Sequence, residues 1–179
     1  MSELSKGPPV EQETELLEVV DESGRTLRLA PRSECHGNPS LVHRAVHVFV
    51  RDQAGRVFLQ KRSLGKRIQP GKWDTSVGGH VDPGESYELA ATRELEEELG
   101  IELGEFGHLE HRHDYVWSTY LETEQVRTFE LTCEGPFRLH PQEIDDGRFW
   151  TEAELRDAVG QGVLTPNLEH ELRLMGISR

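Results

Sequence analysis

The chain has 179 residues, a length that suits one domain of ordinary size. Its 20 Lys and Arg residues against 33 Asp and Glu residues give a formal net charge of −13, which argues against nucleic acid or an anionic membrane surface as a partner, since both require a basic surface. No apolar run approaches the ~20 residues of a membrane span, and the N-terminus lacks the features of a signal peptide. We therefore expect a cytoplasmic protein. Cys35 and Cys133 lie far apart in sequence and cannot form the disulfide framework of a small secreted domain, so we expect both to be reduced.

The N-terminal half is predicted to contain a tail, two hairpins and a connecting loop. Residues 1–14 mix Pro, Gly, Lys and Glu without hydrophobic periodicity, which indicates a disordered tail, and residues 15–179 are predicted to form a single domain. Residues 63–72 form a basic connecting loop. The predicted strands of this half lie at 16–20, 26–29, 45–50, 57–60 and 75–77.

The C-terminal half is predicted to begin with a long helix, Ser86–Leu99, that ends at Gly100. Its buried stripe is expected to consist of Leu89, Thr92, Leu95 and Leu99. Further strands are predicted at 109–120, 124–132 and 148–150, and further helices at 151–159 and 167–175. Hairpins that alternate with crossover helices predict an α/β fold with a mixed sheet and helices on both faces.

Three glutamates of the long helix share one face. At about 100° per residue, Glu94, Glu97 and Glu98 fall within a sector about 100° wide, beside Ala90 and Ala91. Like charges at these spacings cost roughly 0.2–0.5 kcal/mol per pair on an exposed helix. A divalent cation offsets that cost, and Mg²⁺ takes water and substrate phosphates as its remaining ligands. The face is therefore either an ordinary solvated acidic surface or a site for a metal ion and a phosphate-bearing substrate.

The spacing around these glutamates favours the metal site. Its specified positions are occupied by Gly79, Glu85, Arg93, Glu94, Glu97, Glu98 and Gly100. This stretch resembles the Nudix box at every specified position. The resemblance implies a Nudix hydrolase with an α/β/α sandwich fold, which cleaves a nucleoside diphosphate or another diphosphate linked to a further group.

The resemblance also implies roles for individual residues. It implies a site for Mg²⁺ or Mn²⁺ whose ligands are the carbonyl of Gly79 and the carboxylates of Glu94, Glu97 and Glu98. A salt bridge between Glu85 and Arg93 is expected to position the loop against the helix. In metal-assisted hydrolysis the ions neutralise phosphate oxygens and lower the pKa of the attacking water, whose proton passes to a carboxylate. The sequence leaves both Glu94 and Glu97 as candidates for that catalytic base.

Residues outside the box resemble the branch of the family that contains isopentenyl-diphosphate isomerase. The resemblance is carried by residues 41–45, 60–66 and 70–73 and by Gly79-His80. In those isomerases three histidines and two glutamates bind a metal, and the matching residues here are His36, His43, His80, Glu122 and Glu124. Arg62 and Lys66 match diphosphate-binding positions. For each of these residues the alternative is an ordinary surface or hydrogen-bonded side chain.

One departure separates the chain from the isomerases. Their catalytic cysteine, just before the Gly-His pair, is Gly78 here, and glycine supplies no acid. We therefore expect a divalent-metal-dependent hydrolase that cleaves a phosphoanhydride bond in a nucleotide or nucleotide-like small molecule. The alternatives are an isopentenyl-diphosphate isomerase and a non-catalytic nucleotide-sensing module. The expected partner is a small-molecule diphosphate, and the expected oligomeric state is a monomer or homodimer.

Overall fold

The computed structural model describes residues 15–178, so the tail predicted at 1–14 lies outside the described residues. Within this range the chain forms nine strands and five helices. The strands are β1 (Leu16–Val20), β2 (Thr26–Pro31), β3 (Val42–Arg51), β4 (Val57–Arg62), β5 (Trp73–Asp74), β6 (Val77–His80), β7 (Glu110–Ser118), β8 (Thr123–Thr132) and β9 (Ile144–Trp150). The helices are α1 (Arg32–Cys35), α2 (Tyr87–Leu99), α3 (Leu103–Phe106), α4 (Glu152–Ala158) and α5 (Pro166–Leu174).

The strands form one mixed sheet with β3 at its centre. Strand β3 pairs in parallel with β8, from Val42↔Thr123 to Arg51↔Thr132, and pairs antiparallel with β1 and β6. Strand β8 carries β7 on its other side, while β4 pairs antiparallel with β5 and β9. The parallel pair explains why helices intervene between β3 and β8, since parallel strands require a crossover connection.

Helices cover both faces of this sheet, as predicted. Alternate residues of β3 separate the two faces: Val46, Val48 and Val50 pack with α2, whereas Phe49 packs with α4 and α5. A third, smaller cluster lies between β1, β2 and α1. No helix in the described range is long and apolar enough to span a membrane.

The second predicted hairpin, which joins the predicted strands at 45–50 and 57–60, has a turn as expected. Its two strands separate beyond that turn. Gly55 N donates to the carbonyl of Asp52 at 3.0 Å, and the strands β3 and β4 then pair only at Arg51↔Val57. Beyond that point β3 pairs with β6, while β4 pairs with β5 and β9. The divergence leaves an opening between β4 and β6 that faces the C-terminal half of α2.

The prediction of a strand at 75–77 is wrong, because in this segment the chain passes from pairing with β4 to pairing with β3. Trp73–Asp74 pairs with β4 and Val77–His80 pairs with β3. Between them the Ser76 hydroxyl accepts from Val50 N at 2.8 Å and donates to the carbonyl of Phe58. Side-chain bonds therefore replace sheet pairing at the crossing.

Helix α2 ends at Leu99 as predicted and begins at Tyr87, one residue after the predicted start at Ser86, but its buried face differs from the prediction. Ser86 caps its N-terminus by accepting from Leu89 N at 3.2 Å, and Gly100 ends it with φ +68. Leu89, expected in the buried stripe, is 61% exposed. Ala90 and Ala91 are fully buried instead, together with Leu95 and Leu99 as predicted. Small residues are required there because the helix lies close to the sheet.

Candidate active site

Gly78 and Gly79 of β6 lie between two groups of polar side chains, one on each side of the strand. A Cβ built on Gly79 would lie 2.1 Å from Glu94 Oε1, so the carboxyl group of Glu94 rests directly on this glycine. A Cβ built on Gly78 would lie 3.0 Å from Cδ2 of His47 on the other side. Glycine at both positions is therefore a condition for the close approach of Glu94 and His47 to β6.

Glu98 occupies the opening between β4 and β6. Its Oε2 accepts from Gln60 Nε2 at 3.0 Å and from the Gly78 amide at 3.2 Å, and the residue is only 8% exposed. Burial, with a smaller contribution from the charge of Glu94, raises the pKa of Glu98 to about 8. Burial likewise raises the pKa of Glu94 to about 7, against the opposing charge of Arg93. Both carboxyl groups lie in surroundings that penalise their ionised form.

Arg93 joins the loop after β6 to helix α2. Its Nε and Nη2 donate to the Glu85 carboxylate at 3.0 and 2.9 Å, and Nη2 also donates to the carbonyl of His80 at 3.0 Å. Its Nη1 donates to Glu94 Oε1 at 2.7 Å. Glu97 is more remote, with a 57% exposed side chain whose carboxylate lies 3.6 Å from Arg93 Nη1. The expected bridge between Glu85 and Arg93 is thus present, and it also orients Glu94.

Three histidines and two glutamates converge on the opposite face of β6. The ring nitrogens Nε2 of His36 and His80 lie 3.1 Å apart, and the His43 ring lies 5.2 Å from the His80 ring. Glu124 Oε1 lies 3.7 Å from His43 Nε2 and 3.8 Å from His80 Nε2, and Glu122 Oε2 lies 3.3 Å from His36 Nε2. The five residues that the isomerase resemblance singled out therefore share one place.

In two of the three histidines the other ring nitrogen, Nδ1, faces an acceptor outside the cluster. His80 Nδ1 lies 2.9 Å from Glu15 Oε1, and His43 Nδ1 faces the carbonyl of Leu41 at 3.5 Å. Such outer bonds direct Nε2 inward, an arrangement that is typical of histidines that bind metals. Burial lowers the pKa of His36 to about 3 and also lowers that of His80, so near pH 7 both imidazoles offer lone pairs.

The two basic residues predicted to bind substrate are both in ion pairs. Arg62 Nη1 donates to Asp74 Oδ2 at 2.8 Å, and its Nε donates to the carbonyl of Ile68 at 3.1 Å. Lys66 pairs with Glu143, and its charge also opposes the rise in the pKa of Glu98. The charge of Lys66 thus affects Glu98 of the box, whereas Arg62 contacts Asp74 of β5 and the carbonyl of Ile68.

Comparison with known proteins gives this geometry a family. A model of the NUDIX domain matches residues 41–168. The chain belongs to the Nudix family. Among curated proteins, an isopentenyl-diphosphate Delta-isomerase of Streptomyces avermitilis is 40% identical over 145 residues, covering 79% of this chain and 74% of that protein. An uncharacterised Nudix hydrolase of Pseudomonas aeruginosa is 35% identical over 142 residues, covering 76% and 79%.

Solved structures agree with the predicted fold. The crystal structure of DR0079 from Deinococcus radiodurans has a TM-score of 0.75 and 29% identity, covering 89% of this Nudix protein and 98% of the other chain. A MutT protein from Methanosarcina mazei has a TM-score of 0.62 at 20% identity, which shows the shared fold alone. As a Nudix protein, the chain is a hydrolase of phosphorus-containing anhydrides of the kind that generally requires a divalent metal ion.

The residues of this Nudix protein fit divalent cations in two places. At the histidine cluster, His43 Nε2 and Glu122 Oε2 are buried without a hydrogen-bond partner in the described range, despite the nearby His36. Burial and the charge of Glu124 raise the pKa of Glu122, whereas neighbouring histidines, against the effect of burial, hold the pKa of Glu124 below its usual range. At the box, two buried carboxyl groups with raised pKa values meet at Gly78 and Gly79. A bound divalent cation would offset the cost of these buried groups at either place.

The histidine cluster and the box differ in the distances between their potential ligand atoms. In the described part of the chain, triplets of potential ligand atoms within 4.8 Å of one another occur in His36, His43 and His80, and in His43, Glu122 and Glu124. Glu94, Glu97 and Glu98 do not form such a triplet, because Glu97 is turned outward. The expectation that the three glutamates act together stays a prediction.

Sequence reasoning missed a group of polar residues behind Gly78. His47 Nδ1 lies 2.7 Å from Glu171 Oε1, and Tyr115 Oη donates to the same oxygen at 2.9 Å. Thr75 Oγ1 donates to Glu171 Oε2 at 2.5 Å. No local spacing signals this group, since its members come from β3, β7, α5 and the segment before β6.

Proposed function

We propose that this Nudix protein hydrolyses a phosphoanhydride bond in a nucleotide or nucleotide-like small molecule with the aid of Mg²⁺ or Mn²⁺. The observation that carries the proposal is the pair of buried carboxyl groups, Glu94 and Glu98, that meets the backbone of Gly78 and Gly79. Burial disfavours their ionised forms, so the folded chain accommodates two carboxylates there at a cost in stability. Such a cost is typical of a functional site.

The proposed ligands of the metal are the carbonyl of Gly79 and the carboxylates of Glu94, Glu97 and Glu98. Glu97 joins this set by rotation of its side chain, which its 57% exposure permits. All four ligands are oxygens, which suits the hard cations Mg²⁺ and Mn²⁺. Bound ions of this kind supply positive charge to the phosphate oxygens and lower the pKa of the attacking water.

Glu94 is the better placed of the two candidate bases. Its carboxyl group lies against the backbone of Gly79, whereas the side chain of Glu97 is 57% exposed. Arg93 Nη1 holds Oε1 of Glu94 at 2.7 Å, and the bidentate bond of Arg93 to Glu85 fixes the guanidinium in turn. Glu97 lacks such support. We therefore propose that Glu94 accepts the proton of the water and that Glu85 and Arg93 orient it.

Arg62 and Lys66 are the proposed binding residues for the diphosphate. Each exchanges a carboxylate partner, Asp74 or Glu143, for phosphate oxygens when substrate binds. Arginine suits this role because its planar guanidinium forms two parallel hydrogen bonds to phosphate. In a protein of net charge −13 such local basic residues are needed to hold an anion.

The histidine cluster is proposed as a second metal site. Its five members, His36, His43, His80, Glu122 and Glu124, offer mixed nitrogen and oxygen ligands, a set that suits Mn²⁺ better than Mg²⁺. Beside it lie the aromatic rings of Trp117, which is opposite Glu124 in the sheet, and of His170, 5.5 Å from the Trp117 ring. These flat surfaces support a substrate with a planar base.

Isopentenyl-diphosphate isomerisation is the second candidate function. It is favoured by the convergence of the five residues of the histidine cluster, which match the isomerase pattern. It is opposed by Gly78, which brings no acidic side chain to the position of the isomerase cysteine.

Product analysis distinguishes the candidates. The purified chain is incubated with Mg²⁺ or Mn²⁺ and a panel of nucleoside di- and triphosphates, dinucleotides, nucleotide sugars and isopentenyl diphosphate, and the products are identified by ³¹P NMR and mass spectrometry. The proposal predicts cleavage of a phosphoanhydride bond in a nucleotide. Conversion of isopentenyl diphosphate to its isomer with no phosphate released would favour the second candidate. Binding of a nucleotide without turnover in the presence of metal would favour a sensing module.

We further propose that the protein acts in the cytoplasm as a monomer or homodimer, without a nucleic-acid or membrane partner. The net charge of −13 supports this, because polyanionic surfaces repel such a chain. Size-exclusion chromatography with light scattering tests the oligomeric state.

A further inference from the structure

The buried carboxyl group of Glu171 holds a histidine that the Nudix box does not contain. Glu171, on α5, is only 1% exposed, and it receives hydrogen bonds from Thr75 and Tyr115 as well as from Nδ1 of His47. These partners come from separate parts of the chain, so the Glu171 carboxylate is fixed from more than one direction and holds the His47 ring through Nδ1. A ring fixed in this way presents its second nitrogen, Nε2, at a defined place.

Nε2 of His47 lies beside the space that a side chain at residue 78 would occupy. His47 and Gly78 are opposite one another in the pairing of β3 with β6, and a Cβ built on Gly78 would lie 3.2 Å from His47 Nε2. The amide of Gly78 in turn donates to Glu98. Gly78 is therefore contacted by both groups, by Glu98 at its amide and by His47 where its side chain would be.

His47 also faces the side of the sheet that carries the histidine cluster. Residues 43 and 47 of one strand point to the same face, and their Cα atoms lie about 13 Å apart at about 3.3 Å per residue. His80, opposite Ala45 in β6, shares that face and contacts the His43 ring. A diphosphate with a substituent is long enough to extend along β3 between the two places.

The second ring nitrogen of His47, Nε2, is not used by the fold in the described residues. Over residues 15–178 it forms no hydrogen bond, and 13% of the His47 side chain is exposed. The other cations near the box are paired with carboxylates: Arg62 with Asp74, Lys66 with Glu143 and Arg93 with Glu85. Burial alone would lower the pKa of His47, but the charge and hydrogen bond of Glu171 raise it to about 9, which makes Nε2 a donor near neutral pH.

We propose that His47 is a substrate-binding residue that donates a hydrogen bond from Nε2 to a non-bridging oxygen of the diphosphate, with Glu171 as its positioning residue. This inference rests on the proposed hydrolysis of a diphosphate. His47 thereby places a cationic donor where Gly78 brings no side chain. The competing explanation is purely structural: the group around Glu171 would only attach α5 to the sheet, and Nε2 would touch no ligand.

Calorimetry with methylenebisphosphonate, a non-hydrolysable diphosphate analogue, tests the contact. In the presence of Mg²⁺ the full chain binds the analogue, and H47F binds it roughly ten- to a hundredfold more weakly, as expected for loss of a charged hydrogen bond. The matched control is H111F, which alters a histidine with a 52% exposed side chain on β7 and leaves the affinity unchanged. Equal affinity in H47F and the unaltered chain overturns the inference.

Histidine ¹⁵N NMR gives a readout that does not depend on how H47F folds. Addition of the analogue and Mg²⁺ to the unaltered chain shifts the Nε2 resonance of His47, which is assigned by through-bond correlation to the His47 backbone, and in E171Q the shift is reduced. A His47 resonance that stays in place while the analogue binds overturns the inference and leaves the proposed hydrolysis intact. Failure of the unaltered chain to bind the analogue contradicts both.

Discussion

At the scale of one residue, Glu98 shows how the proposed metal site lowers the stability of the folded chain. Its carboxyl group ionises with an ordinary pKa of 4.5 when exposed and of about 8 in the folded protein. Between these two pH values the folded state binds more protons than the unfolded state, so this residue lowers stability progressively as the pH rises. The amide groups that bond to it, from Gln60 and Gly78, reduce that cost without removing it.

Replacement of Glu98 by glutamine is therefore expected to separate stability from activity. In metal-free solution E98Q is more stable than the unaltered protein at about pH 8, and the difference shrinks toward about pH 5, where the carboxyl group is protonated. Hydrolysis falls at least about a hundredfold, because a neutral amide is a poor metal ligand. Thermal unfolding in a chelator and steady-state kinetics measure the two effects. E96Q, at an exposed position of the same helix, serves as the control, and an active E98Q would contradict the metal site.

Gly79 supplies a second test at this scale. Substitution by alanine places a Cβ 2.1 Å from Glu94 Oε1, and the side chain of Glu94, being flexible at its end, moves away. The fold is expected to persist while Glu94 loses its place and activity falls about tenfold or more. Circular dichroism and kinetics check this outcome. G104A is the matched control because a Cβ there meets nothing within 4 Å, and full activity of G79A would show that Glu94 need not lie against β6.

At the scale of elements, the bond between Glu85 and Arg93 connects the loop after β6 to helix α2. Glu85 accepts from Arg93 and also, through Oε2, from the Asp82 amide at 3.0 Å. The same arginine reaches the carbonyl of His80 at the end of β6. Strand, loop and helix are thus held in one arrangement by a single guanidinium.

E85Q is expected to weaken that arrangement more than it weakens the fold. One charged partner of Arg93 is lost, so Glu94 is less well oriented and kcat falls roughly tenfold, with a small change in Tm. E88Q, on the exposed first turn of α2, is the control. A kcat for E85Q equal to that of E88Q would show that the bridge has no part in catalysis.

Much of the element order follows from local signals in the sequence. Helix α2 is predictable because Ser86 and Gly100 mark its ends, and α4 because Thr151 and Glu154 have the Thr-x-x-Glu spacing of a capping box, which the structure shows. The buried face of α2 is harder to predict, since contact with the sheet selects Ala90 and Ala91 over the larger Leu89. Local periodicity contains no information on how closely a helix approaches a sheet.

The residues of the candidate site also divide into those that the sequence predicts and those that it does not. The box residues and the histidine cluster are visible in the sequence because their spacing resembles that of known families. The group of His47, Thr75, Tyr115 and Glu171 is not visible, since its members are brought together only by the pairing of β3 with β6 and by the packing of α5. Contacts that depend on tertiary structure leave no fixed spacing in a single chain.

At the scale of the whole molecule, a chain of net charge −13 concentrates buried acids on both sides of β6. Divalent cations are therefore expected to stabilise the folded state, since they bind it and not the unfolded chain. Protons compete with metal for Glu94 and Glu98, whose pKa values are about 7 and about 8. The increase in Tm on addition of Mg²⁺ should be larger at about pH 8.5 than at about pH 6.

Differential scanning fluorimetry measures this difference, with Ca²⁺ and Mn²⁺ as further cations and K⁺ as the control for ionic strength. In E94Q/E98Q the pH dependence of the Mg²⁺ effect should disappear. An increase in Tm that is equal at both pH values would mean that the metal binds elsewhere.

The central claim, that the box carboxylates hold the divalent ion for hydrolysis, is tested most directly by anomalous diffraction from crystals soaked in Mn²⁺ at about pH 8. We predict an anomalous peak bounded by the carbonyl of Gly79 and the carboxylates of Glu94 and Glu98, whether or not the histidine cluster also binds Mn²⁺. Crystals with Mn²⁺ at the histidine cluster alone, or with no peak beside these glutamates, would contradict the account.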